Sequence, residues 1–425
     1  MLCIAAVVSL AGCGASSAPA ADKPTDTAAA PANEGASAGK VSIELFHQKP
    51  ENVELYNTLI GKFMEENPDI QVNITLAETT TTTLISRIAA GNIPDLVSVF
   101  PMSASYKDMM KEGIYEEITD TAMIDRVNPS MIDRCTVDGK LYTIPFTTNA
   151  YGLYYNVDVF NELGLKVPAT MDEMWDVCDK LVAAGYQPFS FPDKKTTRIS
   201  QMFDRCIIGC VDHDFYSKCD ELYAGTYDVT SDPNIRKYAE TILKLREYAN
   251  PDSLGYDDEP AYEEFTSGKS VMYIDGTWTV TTFEKMNPEL NFNCTAIPTL
   301  TTEDFWTAGT VDTAFAISAS ASAEKKAACE KLLAFLLRED IAQEFCDGDK
   351  NPNVIKGVTY NVEQLKEINA LIDSGKFGAS LASIWTQDLR NNINVAVQAL
   401  ILDKDVDTFV TTFSDLLHEY YTPQT

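Results

Sequence analysis

The feature that most constrains this chain is the order of periodicities between Val41 and Phe100. VSIELF (41–46) alternates apolar and polar residues, as a half-buried strand does. NVELYNTLIGKFMEENP follows, with Tyr56, Leu59, Ile60, Phe63 and Met64 on one stripe at helical spacing. Asn67-Pro68 ends that helix, because a proline ring disfavours helical backbone in the residue before it. QVNITL alternates again, TTTTLISRIAAG reads as a helix closed by Gly91, and PDLVSVF as a short apolar strand. Strand, helix, strand, helix, strand predicts a doubly wound α/β lobe with a mostly parallel sheet. Ligands of such sheets sit outside the carboxyl ends of the strands. That places His47 to Glu51 and Phe100 to Ser103 at a candidate cleft.

Residues 41–425 are too many for one ordinary core and enough for two lobes. From Asn149 on, helical patterns dominate: MDEMWDVCDKLVAAG, NIRKYAETILKLREYA, EKKAACEKLLAFLLRED and VDTFVTTFSDLLHEYY. The last carries Val406, Phe409, Val410, Phe413, Leu416, Leu417 and Tyr420 on one stripe. No internal repeat recurs at a fixed period. Lys and Arg number 33 against 63 Asp and Glu, a net charge of −30. This argues against nucleic acid, whose binding depends on neutralising phosphates with cations. The same field disfavours anionic ligands.

The first forty residues place the chain in the cell. Leu2 to Leu10 is an apolar run too short to span a hydrocarbon core, which takes roughly 20 residues, and it reads as a secretory signal ending in small residues. Leu10-Ala11-Gly12-Cys13 resembles the lipobox of bacterial lipoproteins. In that family cleavage precedes the cysteine, and the sulfur then carries diacylglycerol. The expectation is a signal peptide over 1–12, a lipidated Cys13, and a flexible tether to residue 40 that lacks the apolar anchors needed to order it. No Lys or Arg precedes the apolar run, which points to a start codon placed too late. Of ten cysteines, those beyond Cys13 lack the paired spacing of a zinc site. Cys178, Cys329 and Cys346 lie among apolar neighbours, and Cys206 with Cys210 or Cys219 is the expected disulfide.

Later motifs carry a wider resemblance. GNIPDLVSV, DGKLYTIPF followed by YGLYYNVDVFNELGLKVPATMDEMWDVCDKL, FTSGKSVMYIDGTW and AISASASAEKKAACEKLLAFLL stand in this order. From Val41 onward the chain resembles the extracellular solute-binding proteins of ATP-binding-cassette importers, in the group that includes maltose- and oligosaccharide-binding lipoproteins. The resemblance implies a two-lobed, periplasmic-binding-protein-like α/β fold with crossovers near Ile144 to Asn149 and Gly309 to Ile317. The N-lobe is then 41–147 plus 315–343, and the C-lobe 148–314 plus 344–425. It implies a monomer that holds a small carbohydrate between its lobes and hands it to the permease subunits, with no cofactor or metal and no chemistry performed.

Site candidates follow from both arguments. Trp278 comes after Asp275-Gly276-Thr277, where the glycine suggests a tight bend presenting the indole. In the resembling family this tryptophan lines the sugar site, as the C–H face of a sugar ring packs on an aromatic plane. Trp385 and Trp306 are further aromatic candidates, each with core packing or a loop as the competing role. Trp175 lies on a helical apolar stripe and reads as core. His47, Gln48, Lys49 and Glu51 leave the first strand at its carboxyl end, and Phe100 leaves the third. Asn149, Tyr151 and Asp312 flank the crossovers, where each can meet ligand or brace the hinge.

Enzyme signatures such as H-E-x-x-H and the Walker phosphate loop are absent from the sequence. DGDKNPN (347–353) superficially resembles a calcium loop, but its twelfth position is Val358 where a bidentate glutamate is needed. It reads as a polar turn. The rival functions are the same fold with a peptide, polyamine or organic acid as ligand, and a surface glycoside hydrolase.

Overall fold

The computed structural model describes residues 40–77, 80–199, 206–300, 304–383 and 385–421. The expected signal peptide, Cys13 and all but the last residue of the tether lie outside these. Eleven strands are present among the described residues: β1 (Val41–His47), β2 (Ile70–Leu76), β3 (Leu96–Val99), β4 (Thr136–Val137), β5 (Lys140–Leu141), β6 (Ile144–Asn156), β7 (Gln187–Phe189), β8 (Ser270–Gly276), β9 (Phe292–Thr295), β10 (Thr307–Ile317) and β11 (Phe377–Ala379). Nine of them share one sheet, whose main path runs β2-β1-β3-β10-β6-β8-β7. β1 pairs in parallel with β2 and β3, as the opening periodicities predict.

Two long strands organise the molecule. β10 runs antiparallel to β3 and to β6, and the β10–β6 register shifts between Val311, Thr313 and Ala314. Both strands pass from one hydrophobic core to another. The first core gathers Leu45, Phe63, Leu96, Phe146, Phe315 and Leu336, and defines the N-lobe. The second gathers Leu153, Leu181, Ile242, Val271, Val397 and Phe413. A satellite cluster around Tyr154, Phe265, Phe283 and Phe292 lies against the other face of β6 and β8, and with the second core it makes the C-lobe.

The helices follow their stripes. In the helix Val53–Glu66 the residues Tyr56, Leu59, Ile60 and Phe63 are buried, and Gly91 takes φ +70° past the helix Thr80–Ala89, a conformation glycine adopts without strain. EKKAACEKLLAFLLRED departs from expectation, splitting into the helices Ala323–Leu336 and Glu339–Asp349 with Arg338 extended between them. No proline or glycine marks the break. Tertiary packing supplies it, because the turn lets Phe345 meet Tyr56 and Phe146 edge-on at 5.6 and 4.8 Å. Phe345, Val354 and Ile355 all belong to the first core, so the expected lobe boundary at 343 falls inside a helix of the N-lobe.

The expected disulfide is corrected. Cys210 and Cys219 are both buried thiols, each packed as a small apolar side chain in the second core. Burial pushes the Cys210 thiol up to about 12 and the Cys219 thiol up to about 11. Cys135, Cys329 and Cys346 are likewise buried and raised to about 12. A thiolate-selective disulfide reagent is therefore expected to label these five cysteines negligibly in the native protein at neutral pH and readily in denaturant. Rapid labelling of any of the five in the native state contradicts this burial.

Candidate ligand-binding cleft

A cavity of about 700 Å³ opens between the lobes. Its N-lobe wall comes from the carboxyl ends of parallel strands, where Gln48, Lys49 and Glu51 follow β1 and Phe100 follows β3. Its floor is the strand pair, with Asn149 and Tyr151 on β6 and Thr310 and Asp312 on β10. Its C-lobe wall includes Trp278, just past β8. The sequence-derived candidates Trp278, Gln48, Lys49, Glu51, Phe100, Asn149, Tyr151 and Asp312 are thus gathered around one space.

The floor holds a buried charge network. The Lys49 ammonium donates to Asp312 and lies 3.7 Å from Glu51. Asn149 Nδ2 donates to the other Asp312 oxygen at 2.7 Å, and Asn149 Oδ1 accepts from the Thr310 N–H at 3.1 Å. Burial works against the Lys49 charge, but Asp312, Glu51 and Asp349 outweigh it and hold the ammonium above the usual lysine range. Gln48 is turned inward, its Nε2 donating to the Ser98 carbonyl at 3.0 Å and to Tyr106. The crossover carboxylate is therefore committed to bracing the floor.

Asp349 ends the helix Glu339–Asp349 beneath this floor. It is 2% exposed and accepts a hydrogen bond from Asn52. Its carbonyl accepts from Thr281 at 3.4 Å, and Asn351 Oδ1 accepts from Thr277 at 2.6 Å. Asp349 and Asn351 of the DGDKNPN stretch thus form a buried seam joining the lobes, where a polar turn was expected, while Asp347 and Gly348 are exposed. Burial raises the Asp349 carboxyl from its ordinary 3.8 to about 6, against the pull of Lys49. A carboxyl that binds its proton more tightly when folded contributes stability that is present at low pH and lost as pH rises through its folded value. Asp349→Asn should remove a component of stability that falls between about pH 4 and pH 6. Urea midpoints of both proteins across that range test this, and parallel pH profiles overturn it.

Trp278 is an aromatic element of the far wall. Tyr151 meets its indole edge-on, with ring centroids 5.3 Å apart and planes at 86°. The chain does turn at Thr277 and Trp278, as expected, but Gly276 contributes no positive φ to that turn. It supplies room for the ring instead.

The cleft also contains residues that sequence reasoning missed. Arg198 and Tyr262 line it. Arg198 is paired with Asp258 at 2.6 Å and Asp275 at 3.4 Å. Tyr262 donates to Asp275 at 3.1 Å. Arg390 and Gln387, on the helix Gln387–Asp403, complete that wall with Ser380 and Ser383. Arg198 sits on a four-residue helix with no periodicity to reveal it.

Three candidates are placed elsewhere. His47 is fully buried behind the cleft, its ring 4.4 Å from Tyr56, and burial pushes its pKa down to about 4. Trp385 is 1% exposed in the second core, edge-on to Phe413, where its apolar neighbours put it. Trp306 stacks on His213 at 4.3 Å and donates to Asp304 at 3.2 Å, away from the cavity lining. Among the described residues, no three His, Cys, Asp or Glu side chains are gathered as a metal ion requires.

This geometry has known counterparts. The family described as "Bacterial extracellular solute-binding protein" matches residues 58–370, well over half of the chain. The chain belongs to that family. The binding protein is 27% identical to the multiple sugar-binding protein of Streptococcus mutans over 362 residues, covering 82% of this chain and 84% of that one. It superimposes on the solute-binding protein RafE in complex with raffinose with a TM-score of 0.77 and 25% identity, over 89% of this chain and 99% of that chain. A chitin oligosaccharide binding protein shares the fold at a TM-score of 0.76 and 20% identity, with 89% and 99% covered. The sheet, the paired crossovers and the cleft are those of a two-lobed binding protein.

Proposed function

We propose that this binding protein is the lipid-anchored receptor of an ATP-binding-cassette importer, capturing a neutral sugar or short oligosaccharide between its lobes and delivering it to the permease. The observation that carries the reading is Trp278 facing a cleft whose lining does not share the acidity of the chain. Lys49, Arg198 and Arg390 line it against Glu51 and Asp312, with Lys49 paired to Asp312 and Glu51 and Arg198 to Asp258 and Asp275. The charge of −30 is therefore not reproduced at the site, which disfavours a cationic ligand. The sugar-binding relative and the raffinose complex support the same class. A hydrolase needs two carboxylates that act separately, whereas Glu51 and Asp312 share one buried ammonium. LAGC at Cys13 supports the anchor, and an intact mass carrying diacylglycerol tests it.

Ligand that bridges both lobes favours the closed arrangement, which the permease then reads. Calorimetry with raffinose and with charged solutes tests the assignment. Saturable binding of the trisaccharide is the expected result, and binding of a polyamine or peptide in its place overturns it.

A further inference from the structure

We infer that Gly276 is the positioning residue for Trp278, setting how far the indole reaches into the cleft. The claim rests on the saccharide-binding reading for its functional meaning, but its structural content is independent. A Cβ built on Gly276 falls 2.0, 2.2 and 2.4 Å from Cζ3, Cη2 and Cε3 of Trp278, and these three ring atoms are its nearest neighbours. Ordinary contact begins at 3.4 Å, so a single methyl group displaces the ring by more than an ångström.

The backbone cannot take up that displacement. Gly276 N–H donates to Asp275 Oδ1 at 2.8 Å. The Gly276 carbonyl accepts from Tyr154 and from Thr279, both at 2.8 Å. The strand register pairs Gly276 with Tyr151, the same side chain that holds the edge of the indole. With strand, carbonyl and N–H all fixed, the ring is what moves, and the open direction is the cavity that Trp278 lines. Asp275 carries this seat in turn, being 1% exposed and held by Arg198 and Tyr262. The absent side chain at 276 thus makes the depth of the aromatic wall a property of the strand.

The test combines Gly276→Ala, Trp278→Ala and the double variant. Subtracting the near-ultraviolet dichroism of Trp278→Ala from that of the wild type isolates the Trp278 signal. Subtracting the double variant from Gly276→Ala isolates it when alanine is present. The expected result is a changed indole signal, with raffinose affinity reduced about 10-fold or more in Gly276→Ala. The double variant should bind and melt like Trp278→Ala alone, because removing the indole removes the clash. An unchanged indole signal overturns the inference. So does a double variant that is as poorly folded as Gly276→Ala, since alanine would then collide with something other than the ring. If wild-type protein does not bind raffinose, that outcome counts against the proposed ligand class, while the dichroism and the melting of the double variant still decide the role of Gly276.

Discussion

Trp278→Ala should weaken saccharide binding by about 2 kcal/mol or more, roughly 30-fold in Kd, with little change in melting temperature. The large effect on binding follows from the position of the ring. It lines the cleft, is held edge-on by Tyr151, and offers a rigid apolar plane that loses almost no freedom when a sugar ring covers it. The small effect on folding follows from its partial exposure on the rim of the second core. Trp385→Phe is the contrasting variant. Trp385 is fully buried in that core, so its replacement should lower stability and leave affinity nearly unchanged. Calorimetry and thermal melting of the two variants separate the roles, and equal affinity in wild type and Trp278→Ala removes Trp278 from the site.

Lys49→Met should cost about 3–5 kcal/mol of folding stability, the scale of breaking a buried ion pair from one side. Lys49 is 5% exposed and faces Asp312 and Glu51, with Asp349 beneath. Without the ammonium, these carboxylates remain in a seam of low dielectric with no counter-charge. Asp312 keeps the Asn149 amide, a neutral donor that replaces only part of the loss. Lys49→Met combined with Asp312→Asn should recover much of the stability, because removing both charges relieves the desolvation that removing one exposes. Urea midpoints of the two variants decide the matter. A single variant within 1 kcal/mol of wild type would falsify the role given to Lys49.

The N-lobe was legible because its elements announce themselves locally. Alternation in VSIELF and QVNITL, the stripe from Tyr56 to Met64 and the stop at Asn67-Pro68 need no partner to be read. Residues at the carboxyl ends of strands inherit their address from that topology, which is why Gln48, Lys49, Glu51 and Phe100 could be named. Arg198, Tyr262 and Arg390 could not, since their segments reach the cleft only through the packing of the second core. Tryptophans show the same limit. Trp278 and Trp385 are equally apolar and each begins a helical stretch, and only the tertiary neighbours make one a wall and the other a filling. The buried seam at Asp349 and Asn351 was hidden because a polar run reads as solvated unless its partners, Asn52 and Thr277, are known to be there.

The position of β10 in the sheet has a consequence for how the protein is made. Residues 307–317 lie between β3 and β6 and supply the central hydrogen bonds of the N-lobe sheet. A nascent chain therefore cannot finish its first lobe until Ile317 has emerged. Val99 must wait for Ala314, and Ile144 for Phe315. Such distant pairings make folding slow, because the entropy of closing long loops is spent before any contact repays it. For a protein that works outside the cytoplasm, that delay keeps the polypeptide threadable while it is exported. The strand pair that spans the ligand cleft is thus also a timer, holding back compaction until most of the sequence has been synthesised.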